Sequence, residues 1–447
     1  MGLLDPLFTT DRMREIFSDR RRLQGMLDFE AALARALVRS GIADSEILPA
    51  IKSHCQAKLF DLESLAREAG LAGNVAIPML KALTALVAQA DPNAAKFVHS
   101  GATSQDAIDT GLVLQLRAAL ELIGSDLEDL SSIMARLAGK HRSTVMAGRT
   151  WLQQALPVTF GLTAAGWLSA VERHRARLRG VQARVLVIQF GGAAGTLAAL
   201  GDRGLDVAAA LAEELKLSPP DLPWHSHRDR VAEVAATLGL LVGTLGKIAR
   251  DVSLLAQTEV DELSEPAEPG RGGSSTMPHK RNPVGSAVVL TAAVRVPALV
   301  SVMLTAMVQE HERGLGGWQA EWEVLPEICL LTAGALSRIT QVLDGLEVHE
   351  AKMAGNLEAT HGLILSEAVA VALGKHLGRP AAHRLVERAC HRALAENRHL
   401  LPVLVEDEEV RAHLSPEEME RLLDPKNYIG LAESLVDRVL RERRERP

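Results

Sequence analysis

The sequence predicts an all-α protein organised around a bundle of very long helices. Three observations lead there. Apolar residues make up 47% of the chain but aromatics only 3%, so Leu, Ala and Val must build the core, and that composition favours helix over sheet. Leu112, Leu116, Leu120, Ile123, Leu127, Leu130, Met134 and Leu137 step by three or four residues. Val231, Val234, Leu238, Leu241, Leu245, Ile248, Val252 and Leu255 repeat the step. Rods of this kind, roughly 40 Å long at about 1.5 Å per residue, pack side by side along their seams.

Punctuation divides the chain into three parts. Residues 1–98 read as an N-terminal domain of shorter helices, with a turn at Asp91-Pro92-Asn93 near its end. Residues 99–350 hold the rods, including a third over 158–190 and a fourth after Pro283. Residues 351–447 return to short helices, broken near Gly378-Arg379-Pro380 and Asp424-Pro425. The apolar run from Val284 to Val308 is long enough to span a bilayer. Charges flank it on both sides and Arg295 and Pro297 interrupt it, so burial at the centre of a bundle is expected instead. The Arg- and Glu-rich tail at 441–446 reads as a solvated helix end.

With a net charge of −7 and a pI near 6.1, the chain is not a general nucleic-acid binder. A locally basic cleft for an anionic substrate remains compatible with that charge. Cys55, Cys329 and Cys390 are odd in number and far apart, with neither a disulfide framework nor metal spacing. The expected setting is a reducing cytoplasm, and residues 1–11 show no signal peptide.

Between two rods lies a stretch that can be neither helix nor strand. Residues 265–283 carry four prolines, three glycines and adjacent serines, and the basic residues His279, Lys280 and Arg281 sit between Pro278 and Pro283. A loop of this length inside a compact domain is a lid or a binding loop when it is not a disordered connector.

Here the chain becomes recognisable. Residues 273–283, GSSTMPHKRNP, resemble the signature loop of the fumarase/aspartase superfamily. FVHSGATSQD at 97–106 and GRTWLQQALP at 148–157 resemble its first and second conserved regions, in the same order. The resemblance covers nearly the whole chain. It implies three helical domains, a homotetramer with a shared helical core, and active sites built from three subunits. Within the superfamily, QEHERGLGGWQAEW at 309–322 is similar to the bacterial 3-carboxy-cis,cis-muconate cycloisomerase subgroup. A departure agrees: the superfamily's lyases usually carry His where this chain has Trp151.

Superfamily reactions proceed through a carbanion next to a carboxylate, stabilised as an enediolate. Such an intermediate needs cations, hydrogen-bond donors, a base and a lid. The resemblance puts the base at Ser274 and the carboxylate binders at Lys280 and Asn282. His99, Thr103 and Ser104 match first-region substrate contacts, although Thr and Ser at a helix start also serve as caps, with Asp106 completing the pattern. A His at position 151 would help a poor leaving group depart. A carboxylate leaving group, with a pKa near ~4, needs no such acid, so Trp151 fits lactone chemistry. Trp151 could shape the pocket or donate its indole N–H, and Gln153 is a polar contact nearby. A tricarboxylate substrate would need several cations; Lys280, Arg149, Arg228, His311 and Arg313 are candidates, and the subgroup similarity favours Arg313. Arg281 faces either solvent or a neighbouring subunit.

Two other signals are discounted. FGGAAGT at 190–196 lacks a full phosphate-loop pattern, and close helix packing is its expected role. His225-Ser-His227 has no third ligand in view, so no metal is expected, nor any other cofactor. The activity expected is conversion of 3-carboxy-cis,cis-muconate to 4-carboxymuconolactone on a small-molecule route of aromatic-acid breakdown, with no nucleic-acid or membrane partner. An adenylosuccinate-lyase-like β-elimination is the alternative, and a non-catalytic structural protein on the same scaffold is the third reading.

Overall fold

The computed structural model describes residues 2–267, 272–273, 277 and 280–445. The helices that matter for function are α1 (Asp19–Arg39), α2 (Ser104–Lys140), α3 (Phe160–Val185), α4 (Gly204–Leu215), α5 (Asp229–Leu255), α6 (Val284–Thr305), α7 (Gly317–Asp344), α8 (Ser366–Leu377), α9 (Arg379–Ala395) and α10 (Ala432–Glu445). Strands are few: a hairpin of β1 (Val145–Thr150) and β2 (Gln153–Thr159), and a short pair, β3 (Leu263–Ser264) with β4 (Glu347–Val348).

Contacts divide the chain into two units, and five long helices give residues to both. One unit gathers residues up to 127, 174–246 and 288–337; the other gathers 128–173, 247–287 and 338 onward. This division cuts across the three parts read from the sequence, because turns mark where elements end while contacts follow the lengths of the rods.

Both apolar stripes became buried seams. Leu116, Leu120, Ile123, Leu127, Leu130 and Met134 of α2 are fully buried, and so are Val231, Val234, Leu238, Leu245 and Val252 of α5. Each such side chain is worth about 1.5–3 kcal/mol relative to exposure. In the first unit α5 and α6 approach closely. A Cβ on Gly239 would lie 2.9 Å from Val300 Cγ2, and one on Gly246 would lie 2.6 Å from Ala293 Cβ.

The expectation for α6 was wrong within the single chain. Its apolar window is only 22% buried, with Val294 77% and Leu304 50% exposed. By length and composition α5 and α6 are both long and apolar enough to cross a membrane.

In the second unit, α8 and α9 form a small core with Leu373, Leu385, Val386 and Leu400, against which Ala147 of β1 packs. The hairpin was missed in the sequence, where the third rod was read from 158. That rod begins at Phe160, because residues 145–159 pair as strands with Val145 opposite Thr159 and Met146 opposite Val158. In the charged tail Arg441, Arg444 and Glu445 are exposed as expected, but Arg443 is not free in solvent. Arg443 of α10 donates to Ser131 Oγ at 2.7 Å and Ser132 Oγ at 2.8 Å, and Arg142 holds Asp437 through two nitrogens at 2.8 and 2.7 Å.

Candidate active site

In the first unit, the first conserved region forms a tight turn running into α2. His99 and Gly101 both have left-handed backbone, at φ 60° and 77°. Gly101 is obligatory, since a Cβ there would lie 2.5 Å from Leu200 Cγ. Gly192 sits against it: its φ is 69°, and a Cβ would lie 2.9 Å from the Gly101 carbonyl oxygen. The glycine-rich stretch therefore serves close packing, as expected.

Those glycines also bind an anion, and the anion is internal. The amides of Gly191 and Gly192 donate to the Asp106 carboxylate at 3.1 and 3.0 Å. Thr103 N adds a bond of 2.9 Å and His225 Nε2 lies 2.7 Å away. Four partners on a carboxylate with no exposed surface lock the glycine loop, the start of α2 and the 225–228 segment together. Asp106 thus completes the cap that its spacing suggested, and His225 has a structural partner. Among the described residues no group of three or more His, Cys, Asp or Glu is placed to hold a metal.

One turn further along α2, Asp109 faces Arg228. The guanidinium reaches Asp109 at 2.7 and 3.1 Å and Glu321 of α7 at 2.6 and 3.0 Å, stacks 4.8 Å from the Trp224 ring, and is 1% exposed. Trp318 Nε1 donates to the same Asp109 at 2.9 Å. Burial raises the Glu321 pKa even though Arg228 opposes it. Arg228 is therefore no substrate-binding cation: two buried carboxylates consume it. The sequence could not show this, because the partners lie 119 and 93 residues away.

Arg313 is placed differently. Its Nη1 donates to Thr103 Oγ1 at 3.0 Å and its Nη2 to the Ala193 carbonyl at 2.9 Å, so it meets neutral acceptors and, among the described residues, pairs with no carboxylate. His99, Thr103, Ser104 and Arg313 are thus brought together in this unit around one helix start, where amide dipoles also favour anions. His99 Nδ1 lies 2.7 Å from Glu30 Oε1, a partner the sequence reading missed. A signal existed, since Glu30 falls on the apolar face of α1 between Phe29 and Leu33. His311 is exposed with a left-handed backbone, φ 48°.

In the second unit, the second conserved region is the β1–β2 hairpin. Thr150 pairs with Gln153, which leaves Trp151 and Leu152 as a two-residue loop. Both have positive φ, 54° and 65°. Such loops normally take Asn-Gly, because bulky residues there cost about 1–2 kcal/mol each. Here a tryptophan 98% exposed and a leucine 78% exposed occupy both positions. Strain and exposed apolar area spent together at one tip point to a functional presentation. Gln153 is exposed beside them.

Arg149 anchors the hairpin rather than offering a cation. It grips Glu262 at 2.9 and 2.7 Å, and Asn356 Nδ2 holds the same fully buried carboxylate at 2.8 Å.

The feet of the signature loop are clamped in the same unit. Glu265 accepts from Gly285 N at 2.9 Å and from Ser286 N and Oγ at 2.7 Å, capping α6. Asn282 N and Nδ2 both donate to the Gly272 carbonyl, at 2.9 and 3.1 Å, and Gly272 is left-handed. Arg281 is settled by Glu347 of β4, at 2.8 and 3.0 Å, and by the Glu265 carbonyl at 2.6 Å. The paired guanidinium draws the Glu347 carboxyl below its ordinary range. Lys280 is exposed, and among the described residues its ammonium meets no carboxylate. Ser274, like its neighbour Ser275 and like His279, lies outside the described residues.

Comparison with known proteins shows the family and the fold. A family model described as "Lyase" matches residues 7–298, and one described as "Adenylosuccinate lyase C-terminus" matches 362–439. The chain is 57% identical to a 3-carboxy-cis,cis-muconate cycloisomerase of Pseudomonas aeruginosa, over 98% of this chain and 96% of that one. It superposes on the crystal structure of the 3-carboxy-cis,cis-muconate lactonizing enzyme from Pseudomonas putida with a TM-score of 0.95, at 53% identity over 99% of both chains. The β-carboxy-cis,cis-muconate cycloisomerase of Acinetobacter calcoaceticus gives 0.94, at 45% identity over 99% of this chain and 100% of that one. The chain therefore belongs to the lyase family of the fumarase/aspartase superfamily, in the branch that holds the 3-carboxy-cis,cis-muconate cycloisomerases.

Proposed function

We propose that this chain is a cycloisomerase that converts 3-carboxy-cis,cis-muconate to 4-carboxymuconolactone, an intramolecular lyase of protocatechuate breakdown. The observation that carries this is 57% identity to a cycloisomerase along essentially the full length of both chains.

In this reading one substrate carboxylate adds to a C=C bond of the same molecule. The electron pair moves onto the carbon beside a second carboxylate, giving an enediolate, and a proton then reaches that carbon. Ser274 carries this proton, acting as base in the reverse direction. Lys280 and Asn282 hold the carboxylate that becomes the enediolate; the exposure of Lys280, which meets no carboxylate among the described residues, supports its part. His99, Thr103, Ser104 and Arg313 bind another carboxylate, and Gln153 supplies a polar contact. Trp151 walls the pocket where lyases place an acid. A carboxylate leaves without protonation, so the reaction loses nothing by that exchange.

The working form is a homotetramer in the cytoplasm. The exposed apolar face of α6 and the projecting Trp151–Leu152 tip both support burial against further copies. The test is a spectrophotometric assay with 3-carboxy-cis,cis-muconate beside adenylosuccinate, without added cofactor. Loss of diene absorbance with the lactone as product is expected. Cleavage of the succinyl-amine alone would replace this reading by the β-elimination suggested by the name of the matching C-terminal family model.

A further inference from the structure

Glu30 is a carboxylate in an unusual position. It lies on α1 among Phe29, Leu33 and Ala34, is 2% exposed, and has one polar partner among the described residues, Nδ1 of His99 at 2.7 Å. Its second oxygen, Oε2, is buried with no partner. A buried carboxylate held by a single group is costly unless that group is a cation. The ring that would supply the charge is itself held in place. His99 is left-handed, its carbonyl accepts from Ala102 N at 3.2 Å, and Gly101 behind it admits no side chain. The His99 side chain is 18% exposed, and its Nε2 has no partner among the described residues and is not buried.

We propose that Glu30 is a positioning residue: it keeps His99 as an imidazolium whose Nε2–H is offered to a carboxylate of the substrate. This rests on the reading that His99 contacts substrate. An imidazole bonded through Nδ1 to a neutral group would be a donor or an acceptor at Nε2 according to its tautomer. A carboxylate at Nδ1 removes that choice and makes Nε2 a charged donor, whose bonds are about twice as strong as neutral ones. Among the described residues, the charges that act on the ring are those of Glu30 on α1 and Asp106 on α2, and the Glu30 charge also acts on the Cys55 thiol. Burial disfavours charge on His99, but the hydrogen bond and charge of Glu30, with Asp106, outweigh it and raise the pKa above the ordinary imidazole value. Protonation therefore persists to higher pH than for a free histidine, and binding weakens as pH rises through the raised value.

The test compares wild type with Glu30→Gln, Glu30→Asp and His99→Asn, reading KM and kcat across pH and the affinity of tricarballylate, a tricarboxylate that cannot react, by calorimetry. Glu30→Gln should raise KM about tenfold with kcat changed much less, and should move the alkaline rise in KM to lower pH. Glu30→Asp, which restores the charge, should return the profile toward wild type. If Glu30→Gln fails to fold, the wild-type and His99→Asn profiles decide: the alkaline weakening of tricarballylate must be present in the first and absent in the second. Unchanged KM and affinity in His99→Asn would overturn the contact reading itself. A His99→Asn defect with a Glu30→Gln profile identical to wild type would overturn only the role of Glu30.

Discussion

The two units carry their candidate residues on opposite plans. In the first unit the polar groups are spent inward: Asp106 has four partners, Arg228 bridges two buried carboxylates, and Arg313 is tied to Thr103 and Ala193. In the second unit the supports are equally well bonded, but what they support is presented to solvent. Arg149 and Glu262 secure a hairpin whose tip is Trp151, and Glu265 and Arg281 secure a loop whose Lys280 meets no carboxylate among the described residues. The difference teaches that the first unit ties its polar groups to one another, while the second holds exposed side chains on well-bonded supports. Left-handed backbone and exposed apolar area fall together at 151–152, where the proposed further copy would cover them.

The comparison breaks first at Arg228. Arg228→Met leaves Asp109 and Glu321 buried without their cation and should destabilise the fold by about 3–5 kcal/mol, read by denaturant unfolding. A loss under about 1 kcal/mol would mean that the inward network is not what holds the first unit. Lys280→Ala should do the reverse. With no carboxylate partner among the described residues to orphan, its melting temperature should match wild type while kcat falls on the order of 10²–10³-fold. Unchanged turnover would remove Lys280 from the chemistry. The smallest effect is at the hairpin. Leu152→Gly relieves about 1–2 kcal/mol of left-handed strain but adds chain entropy and removes an apolar side chain that a further copy is expected to cover, worth about 1.5–3 kcal/mol, so thermal melts of the assembled protein should show a small net loss. A gain instead would show that Leu152 stays uncovered.

Much of this was legible in the sequence, for identifiable reasons. Periodicity is local, so the seams of α2 and α5 could be read residue by residue, and all but their ends are buried as the stripes require. The motif strings were readable because they are contiguous, and the family they suggested is the one the comparisons show. What failed was whatever depends on distant partners or on an unusual turn. Arg228 and Arg149 looked like cations for a substrate and are tied to acids 93 and 113 residues away. Arg443, in a tail that looked solvated, docks on side chains more than 300 residues earlier. The hairpin was invisible because Trp151-Leu152 carries none of the Asn-Gly chemistry that marks such loops. The apolar run of α6 suggested burial, but within the single chain only 22% of its apolar window is buried.

In the proposed homotetramer, His99, Thr103 and Arg313 of one copy are expected to act together with Lys280 and Trp151 of another. Mixing Arg313→Ala protein with Lys280→Ala protein, after reversible dissociation and reassembly, tests it directly. Each variant alone should be inactive at limiting 3-carboxy-cis,cis-muconate, and the mixture should regain activity, because some sites then combine an intact Arg313 with an intact Lys280. Mixed assemblies that form and stay inactive would contradict the account and place Arg313 and Lys280 of each site within one chain.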